Sequence, residues 1–194
     1  MIWLTSDLHI GHDKIAHARG YPTTTAHDHA ITRGIHRRVN PHDDLFILGD
    51  AALGNKQTAA ELIATLPGRK HLILGNHDRQ HPLNGNTHNP HDGDLRDVFN
   101  SVQLAATLRH GGTVLLLSHF PYDGDPQPDD RHTQWRLPDH GTPLLHGHMH
   151  DTTRARRSRR GTAMVHVGVD AWGMAPVPLG EAAHLARSIA HESY

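Results

Sequence analysis

There is no cysteine among the 194 residues. That absence excludes disulfides, a thiolate metal site and a thiol nucleophile. Aromatic residues are scarce at 5%, so a core must rest on leucine, isoleucine, valine and alanine. No apolar run approaches the roughly 20 residues of a membrane-spanning helix. At the start of the chain, Ile2-Trp3-Leu4 runs directly into polar Thr5-Ser6-Asp7, so no secretory leader is expected and a cytoplasmic location is. Neither sign of charge is in excess. A formal net charge of −1 provides no overall field to steer nucleic acid. The length suits one sizeable α/β domain, residues 1–194, better than two.

Histidine is abundant, with 22 in the chain. Five of them fall in short motifs that can bind metal: Asp7-Leu8-His9, Gly49-Asp50, Gly75-Asn76-His77-Asp78, Ser118-His119 and Gly147-His148-Met149-His150. The other seventeen (22 − 5), such as His81, His88 and His91, read as surface histidines of a biased composition. Each motif lies at or just after an apolar run. Carboxylate, amide and imidazole donors from several strand ends can converge on one sheet edge, and this donor set suits Mn, Fe, Zn, Co or Ni. Asp7 and His9 are i, i+2, as are His148 and His150, so an extended chain would send each pair off one face. Gly49 lets the backbone turn tightly beneath an ion. Asp50 is the natural bridging carboxylate. Taken singly, Asp-x-His is an ordinary capping pair and Gly-Asp an ordinary turn. The ordered set is what points to a two-metal centre.

The periodicity alternates between strand and helix. A strand is expected over residues 2–6, and helices over 14–39 interrupted by Gly20-Tyr21-Pro22. Continuous apolar runs at 45–48, 71–74 and 113–117 read as strands buried on both faces. Residues 56–66 form an amphipathic helix closed by Pro67-Gly68. A short strand is expected at 144–145, another over 163–169, and a closing helix over 181–191. Residues 98–108 resist assignment. Residues 79–96 and 120–142 are long polar loops, a kind that is usually functional or mobile. The pattern argues for an α/β layered domain with its ligands beyond the carboxyl ends of the strands.

This ordered set resembles the calcineurin-like metallophosphoesterases, whose blocks are Asp-x-His, Gly-Asp, Gly-Asn-His-Asp or -Glu, a lone His and Gly-His-x-His. Three longer stretches, Thr5-Ser6-Asp7-Leu8-His9-Ile10-Gly11-His12, Leu117-Ser118-His119-Phe120-Pro121-Tyr122 and Val167-Gly168-Val169-Asp170-Ala171-Trp172, resemble the small single-domain bacterial and phage branch. His166 stands where that branch leads one to expect Asn. The resemblance implies a four-layered α/β/β/α sandwich and two divalent ions, Mn foremost. It implies that Asp7, His9 and His150 hold one ion, that Asn76, His119 and His148 hold the other, and that Asp50 bridges them. His77 would contact the phosphate and assist the leaving oxygen, with Asp78 fixing its tautomer. Two divalent ions, two aspartates and a metal-bridging hydroxide leave a net charge of about +1, which attracts an anion.

The activity this implies is hydrolysis of small phosphodiesters, cyclic nucleotides included, without a covalent intermediate. Phosphomonoesterase, protein phosphatase and nuclease activities on the same centre are the alternatives, and a non-enzymatic binding module would ordinarily have lost ligands. Arg154-Ala155-Arg156-Arg157-Ser158-Arg159-Arg160 reads as a solvated hairpin tip or, alternatively, as an arm for nucleotides or nucleic acid. Arg156, Arg157, Tyr122 and Trp172 are the candidate substrate contacts. Trp135 is a further loop aromatic able to stack on a base.

Overall fold

The computed structural model describes residues 1–85 and 97–191. Most of the 79–96 loop, His88 and His91 included, lies outside the described residues. The chain begins with β1 (Ile2–Thr5), α1 (Asp13–Ala18), α2 (Thr24–His36), β2 (Asp44–Ile47), α3 (Lys56–Ala64) and β3 (Arg69–Ile73). Then come β4 (Ser101–Gln103), β5 (Ala106–His110), β6 (Thr113–Leu117), β7 (Leu144–His146), β8 (Ala155–Arg157) and β9 (Ala163–His166). β10 (Val177–Pro178) and α4 (Leu179–His191) complete it.

Two five-stranded sheets result, ordered β10-β1-β2-β3-β4 and β5-β6-β7-β9-β8. β1 to β4 are parallel, as are β6, β7 and β9, while β10, β5 and β8 pair antiparallel. The sheets share one core. Leu4, Leu48 and Ile73 from the first meet Leu115, Leu117, Leu145 and Val165 from the second, and Ala182, Ala183 and Ala186 of α4 close it. These small residues let α4 lie close against β8 and β9 and reach β10. On the other face of the first sheet, Leu45, Ile47 and Leu72 pack against Ile31 and Ile35 of α2 and Ile63 of α3. On the other face of the second sheet, Tyr122 and Leu137 of the 120–142 loop cover Leu144 and Met164. The expected α/β sandwich is therefore present, with part of its outer cover supplied by a loop.

The central strands are apolar on both faces because both faces are covered. The helix starts have local causes. Thr23 Oγ1 accepts from Ala26 N at 3.1 Å ahead of α2, and Asn55 Oδ1 accepts from Thr58 N at 3.1 Å ahead of α3. The unassigned stretch 98–108 holds β4 and β5, two half-exposed edge strands. The strand expected over 163–169 ends at His166, and Val169–Trp172 turns into a single 3-10 turn. No described helix is long and apolar enough to cross a membrane.

Candidate metal centre

The loops leaving β1, β2, β3, β6 and β7 carry the five motifs, all at carboxyl ends of parallel strands. The first two loops run side by side. Asp7 N donates to Gly49 O at 3.0 Å, and His9 N donates to Asp50 O at 2.9 Å. The expectation that Asp7/His9 and His148/His150 leave an extended chain together is corrected here. Asp7, His9, Asp50, His148 and His150 all have positive φ, of 58°, 48°, 54°, 75° and 52°. Side chains other than glycine enter this left-handed region at a cost, and such residues collect at functional sites. Successive left-handed turns, not a strand's alternation, aim these ligands inward.

The seven residues form two groups that share Asp50. In the first, His9 Nε2 and His150 Nε2 lie 3.1 Å apart, and His150 Nε2 is 3.7 Å from Asp7 Oδ1. In the second, His119 Nε2 and His148 Nδ1 lie 3.3 Å apart, with Asn76 Oδ1 at 3.0 and 3.1 Å from them. Asp50 Oδ2 stands 3.5 Å from His9 Nε2 and 3.6 Å from His119 Nε2. Two imidazole nitrogens bound about 2.1 Å from one ion, at right-angled to tetrahedral geometry, lie about 3.0–3.4 Å apart. Both close nitrogen pairs match that spacing. The donor set and the spacing both fit a divalent ion, and Asp7, His9, Asp50 and His150 bring their ligand atoms within 4.8 Å of one another.

The glycines of the motifs make this approach physically feasible. A Cβ on Gly147 would lie 1.8 Å from Ser6 Oγ, one on Gly49 2.3 Å from His119 Nδ1, and one on Gly75 2.3 Å from Asp50 Oδ1. Any side chain there would occupy the space the ligands use.

Electrostatically the centre is charged and buried. Burial and the neighbouring Asp7 push the Asp50 carboxyl up to about 8. Burial works against the charge of Asp7 too, yet the imidazoles of His166, His150 and His119 hold it ionised. Burial depresses His9, and burial with the adjacent His119 takes His148 down to about 3. Imidazoles kept neutral are in the state that binds a cation.

Three of the four candidate ligand histidines are oriented through their second nitrogen. His119 Nδ1 donates to Leu48 O at 2.8 Å. His148 Nε2 lies 2.9 Å from Asp125 Oδ2, and His150 Nδ1 lies 3.4 Å from Asp170 Oδ2. Sequence reasoning did not single out Asp125 or Asp170 for this work. Asp125 is in turn gripped by Arg131 at 2.8 Å. Arg19 grips Asp170, donates to Asp7 O at 2.8 Å and meets His27 Nε2 at 2.9 Å. Such outer partners fix the tautomer and direction of a ligand.

His77 projects at the mouth, 44% exposed, with Nε2 4.0 Å from Asp50 Oδ2. Its ring lies 5.4 Å from that of His9. Its pKa falls to about 4 through burial and through His119, His12 and His150. The expected role of Asp78 is corrected. Its carboxylate accepts from Gly75 N at 2.7 Å, Asp50 N at 2.9 Å and Ala51 N at 3.0 Å. Among the described residues no hydrogen bond joins it to the His77 imidazole. Asp78 instead ties the β2 and β3 loops together and so fixes Asp50 and Asn76 relative to each other.

The other candidate substrate contacts are engaged elsewhere. Tyr122 donates to Thr142 O at 2.7 Å, and Trp172 Nε1 donates to His166 O at 2.8 Å. Arg156 donates to Asp123 O at 3.1 Å, and Arg157 donates to Gly161 O and Ile189 O. Trp135 packs against His81. The surface reading of the remaining histidines also fails in part, since His27, His81, His146 and His166 are buried. His166, at the position where Asn was expected, stacks on His146 at 5.5 Å and approaches Asp7 Oδ2 only to 3.9 Å.

With this geometry in view, the comparisons with known proteins agree. The model of the calcineurin-like phosphoesterase family matches residues 1–152, and the chain belongs to that family. It is therefore a metallophosphoesterase, a metal-dependent hydrolase of phosphate esters. It is 43% identical over 184 residues to the Gene 66 protein of Mycobacterium phage L5, covering 88% of this chain and 87% of that one. It is 42% identical over 180 residues to the Gene 66 protein of Mycobacterium phage D29, covering 88% of each. The fold is similar to that of AQ665 from Aquifex aeolicus, a protein of unknown function, with a TM-score of 0.68 at 23% identity over 95% of this chain and 98% of that one. At that identity the likeness concerns the fold alone.

Proposed function

We propose that this chain hydrolyses small phosphodiesters, cyclic nucleotides among them, at a centre of two divalent ions. The observation that carries the reading is the position of Asp50. Its Oδ2 stands between two donor groups, 3.5 Å from His9 Nε2 and 3.6 Å from His119 Nε2. Asp7, His9 and His150 would hold one ion, Asn76, His119 and His148 the other, and Asp50 both. Manganese suits this oxygen and imidazole set. When bound, such a pair supplies Lewis acidity and activates a water for in-line attack.

The chain's own residues do the rest. Asp50 is fixed by the His77 amide, which donates to its Oδ1 at 2.9 Å. His77 stands half-exposed where a substrate enters and serves the leaving oxygen. The diester preference rests on that imidazole, because a poor alkoxide leaving group needs a donor. Arg154, Arg156 and Arg157 already bond to backbone carbonyls, which leaves only the exposed Arg159 and Arg160 of the run to serve a nucleic-acid substrate.

The test compares bis-p-nitrophenyl phosphate with p-nitrophenyl phosphate, with added Mn²⁺ and with EDTA, alongside metal counting. Two ions per chain and faster diester turnover are expected, and EDTA should abolish it. Asp50→Ala should empty or scramble both positions. A variant that still holds two ions and turns over normally would remove the bridge. Faster monoester turnover would replace the diester reading with a phosphomonoesterase.

A further inference from the structure

His12 caps α1, a task that Ser, Thr, Asp or Asn normally performs. Its Nδ1 accepts the Ile15 amide N–H at 3.1 Å. That bond requires a lone pair on Nδ1. The neutral ring therefore carries its proton on Nε2, and the tautomer is set by the backbone. Among the described residues, Nε2 has no hydrogen-bond partner. The ring is half-buried at the mouth of the centre, 5.5 Å from that of His9. His77 approaches the same His9 ring at 5.4 Å, so both imidazoles neighbour one candidate ligand.

The position is held from several directions. His12 N donates to His9 O at 3.0 Å, His12 O accepts from Ala16 N at 3.0 Å, and Gly11 N donates to Asp28 Oδ2 at 3.0 Å. A fixed donor beside a cation site costs little reorganisation when an anion arrives.

We propose that His12 binds the phosphoryl group of the substrate, donating from Nε2–H to a non-bridging oxygen. This rests on the reading of the centre as a phosphoesterase site. Its role is separate from that of His77, because Nδ1 is occupied by the helix and His12 has no free path for proton exchange through that atom. It orients and binds; it does not deliver a proton to the leaving group.

The variant His12→Asn separates the two tasks of the side chain. Asparagine oxygen can take over the cap, while the Nε2–H donor is lost. Three readouts apply to the Mn²⁺-loaded protein: metal content with thermal midpoint, the affinity for inorganic phosphate by calorimetry, and KM and kcat on bis-p-nitrophenyl phosphate. Unchanged metal content and midpoint are expected. Phosphate affinity should fall roughly tenfold or more, the usual size for a hydrogen bond to a charged group, with KM raised in step. Nitrogen-15 spectra of the wild type should show His12 protonated on Nε2.

Unchanged phosphate affinity and KM in His12→Asn would reduce His12 to a cap and overturn the proposal, while leaving the phosphoesterase reading intact. A wild type that binds phosphate but turns over no ester would sink the hydrolytic reading, and a weakened variant would still support His12. A wild type that binds no phosphate overturns the His12 proposal, and one that also turns over no ester overturns both.

Discussion

Arg19 holds Asp170 through two charged hydrogen bonds, Nε to Oδ1 at 2.7 Å and Nη2 to Oδ2 at 2.6 Å. The pair is nearly buried, with side chains 5% and 12% exposed. Asp170 faces His150 Nδ1 from the other side and, with Asp7, raises the basicity of that ring against the opposing effect of burial. The clamp therefore sets the direction of one ligand from 20 residues downstream. Asp170→Asn should lower affinity at the Asp7/His9/His150 position by about 10–100-fold. Calorimetric titration with Mn²⁺ checks this, and an unchanged isotherm would show that Asp170 serves only Arg19. Arg19→Ala should do at least as much harm, since it also abandons Asp7 O and His27.

The arginine run divides by structure. Arg154 lies 4.2 Å over the Trp172 ring and donates to Ala171 O at 3.0 Å. Arg156 and Arg157 lie in the edge strand β8 and bond to backbone carbonyls. Arg159 and Arg160 occupy the exposed turn of the hairpin. Arg159→Gln with Arg160→Gln should leave stability within about 0.5 kcal/mol. Arg156→Ala and Arg157→Ala should each cost roughly 1–3 kcal/mol, because carbonyls lose charged donors. Urea unfolding of the two sets gives the answer. If the exposed pair also weakens a dinucleotide substrate and flattens its salt dependence, the tip is an anion arm after all.

What the sequence discloses is uneven for physical reasons. Strands β1, β2, β3 and β6 were readable because they are covered on both faces and so run apolar. β4, β5, β8 and β10 were not. They are edge strands: β4, β5 and β8 are partly exposed, β10 is only two residues long, and β8 spells Ala155-Arg156-Arg157. The seven candidate ligands, which the fold brings together, were readable because their chemistry resides in residue type and in position at strand ends. Asp125 and Asp170 were not, because a lone aspartate in a loop carries no mark of the histidine it will meet. His148 and Asp125 lie 23 residues apart, joined only by how the 120–142 loop settles on the second sheet. The role first given to Asp78 failed for a related reason: adjacency to His77 suggested a contact, while three backbone amides compete for the same carboxylate.

Protons and metal compete in this centre, with a sign that can be worked out. Burial raises Asp50 to about 8 and Asp78 to about 7, each also pushed by a neighbouring carboxylate. A carboxyl of raised folded pKa gives its full stability below the unfolded value of about 4, and loses it as pH rises through 7 and 8. His148 and His77, lowered to about 3 and 4, act at the other end. Their contribution is complete above about 6.5 and is lost as pH falls toward those values. An ion would replace the proton on Asp50 and on His150, whose basicity its carboxylate neighbours raise against burial, whereas His148 is already neutral over this range, so metal is favoured at higher pH. The rise in thermal midpoint on adding Mn²⁺ should be larger at pH 8 than at pH 5.5. Metal-free Asp50→Asn should be more stable than the wild type at pH 8, by a few degrees, and lose that advantage near pH 4. Parallel curves for the two proteins would show that Asp50 is not the strained group.

The chemistry of His77 is separable from that of the metal ligands. Its Nε2 is 4.0 Å from Asp50 Oδ2 and its side chain is 44% exposed, whereas His9 and His119 are almost wholly enclosed. Removing it should leave metal content intact. With a pKa of about 4 in the metal-free site, it is neutral at pH 7, and it acts as an acid only if a bound phosphate anion outweighs the neighbouring cations and favours the imidazolium. Its donation then matters most for a poor leaving group such as a ribose alkoxide, and least for p-nitrophenolate, which departs without help. His77→Ala should therefore depress kcat on a cyclic nucleotide by roughly 10²–10⁴-fold, and on bis-p-nitrophenyl phosphate far less. Equal losses on the two substrates, at full metal occupancy, would mean that His77 binds phosphate as a neutral donor and gives no proton. Loss of metal would place it among the ligands, against the distances that separate it from them.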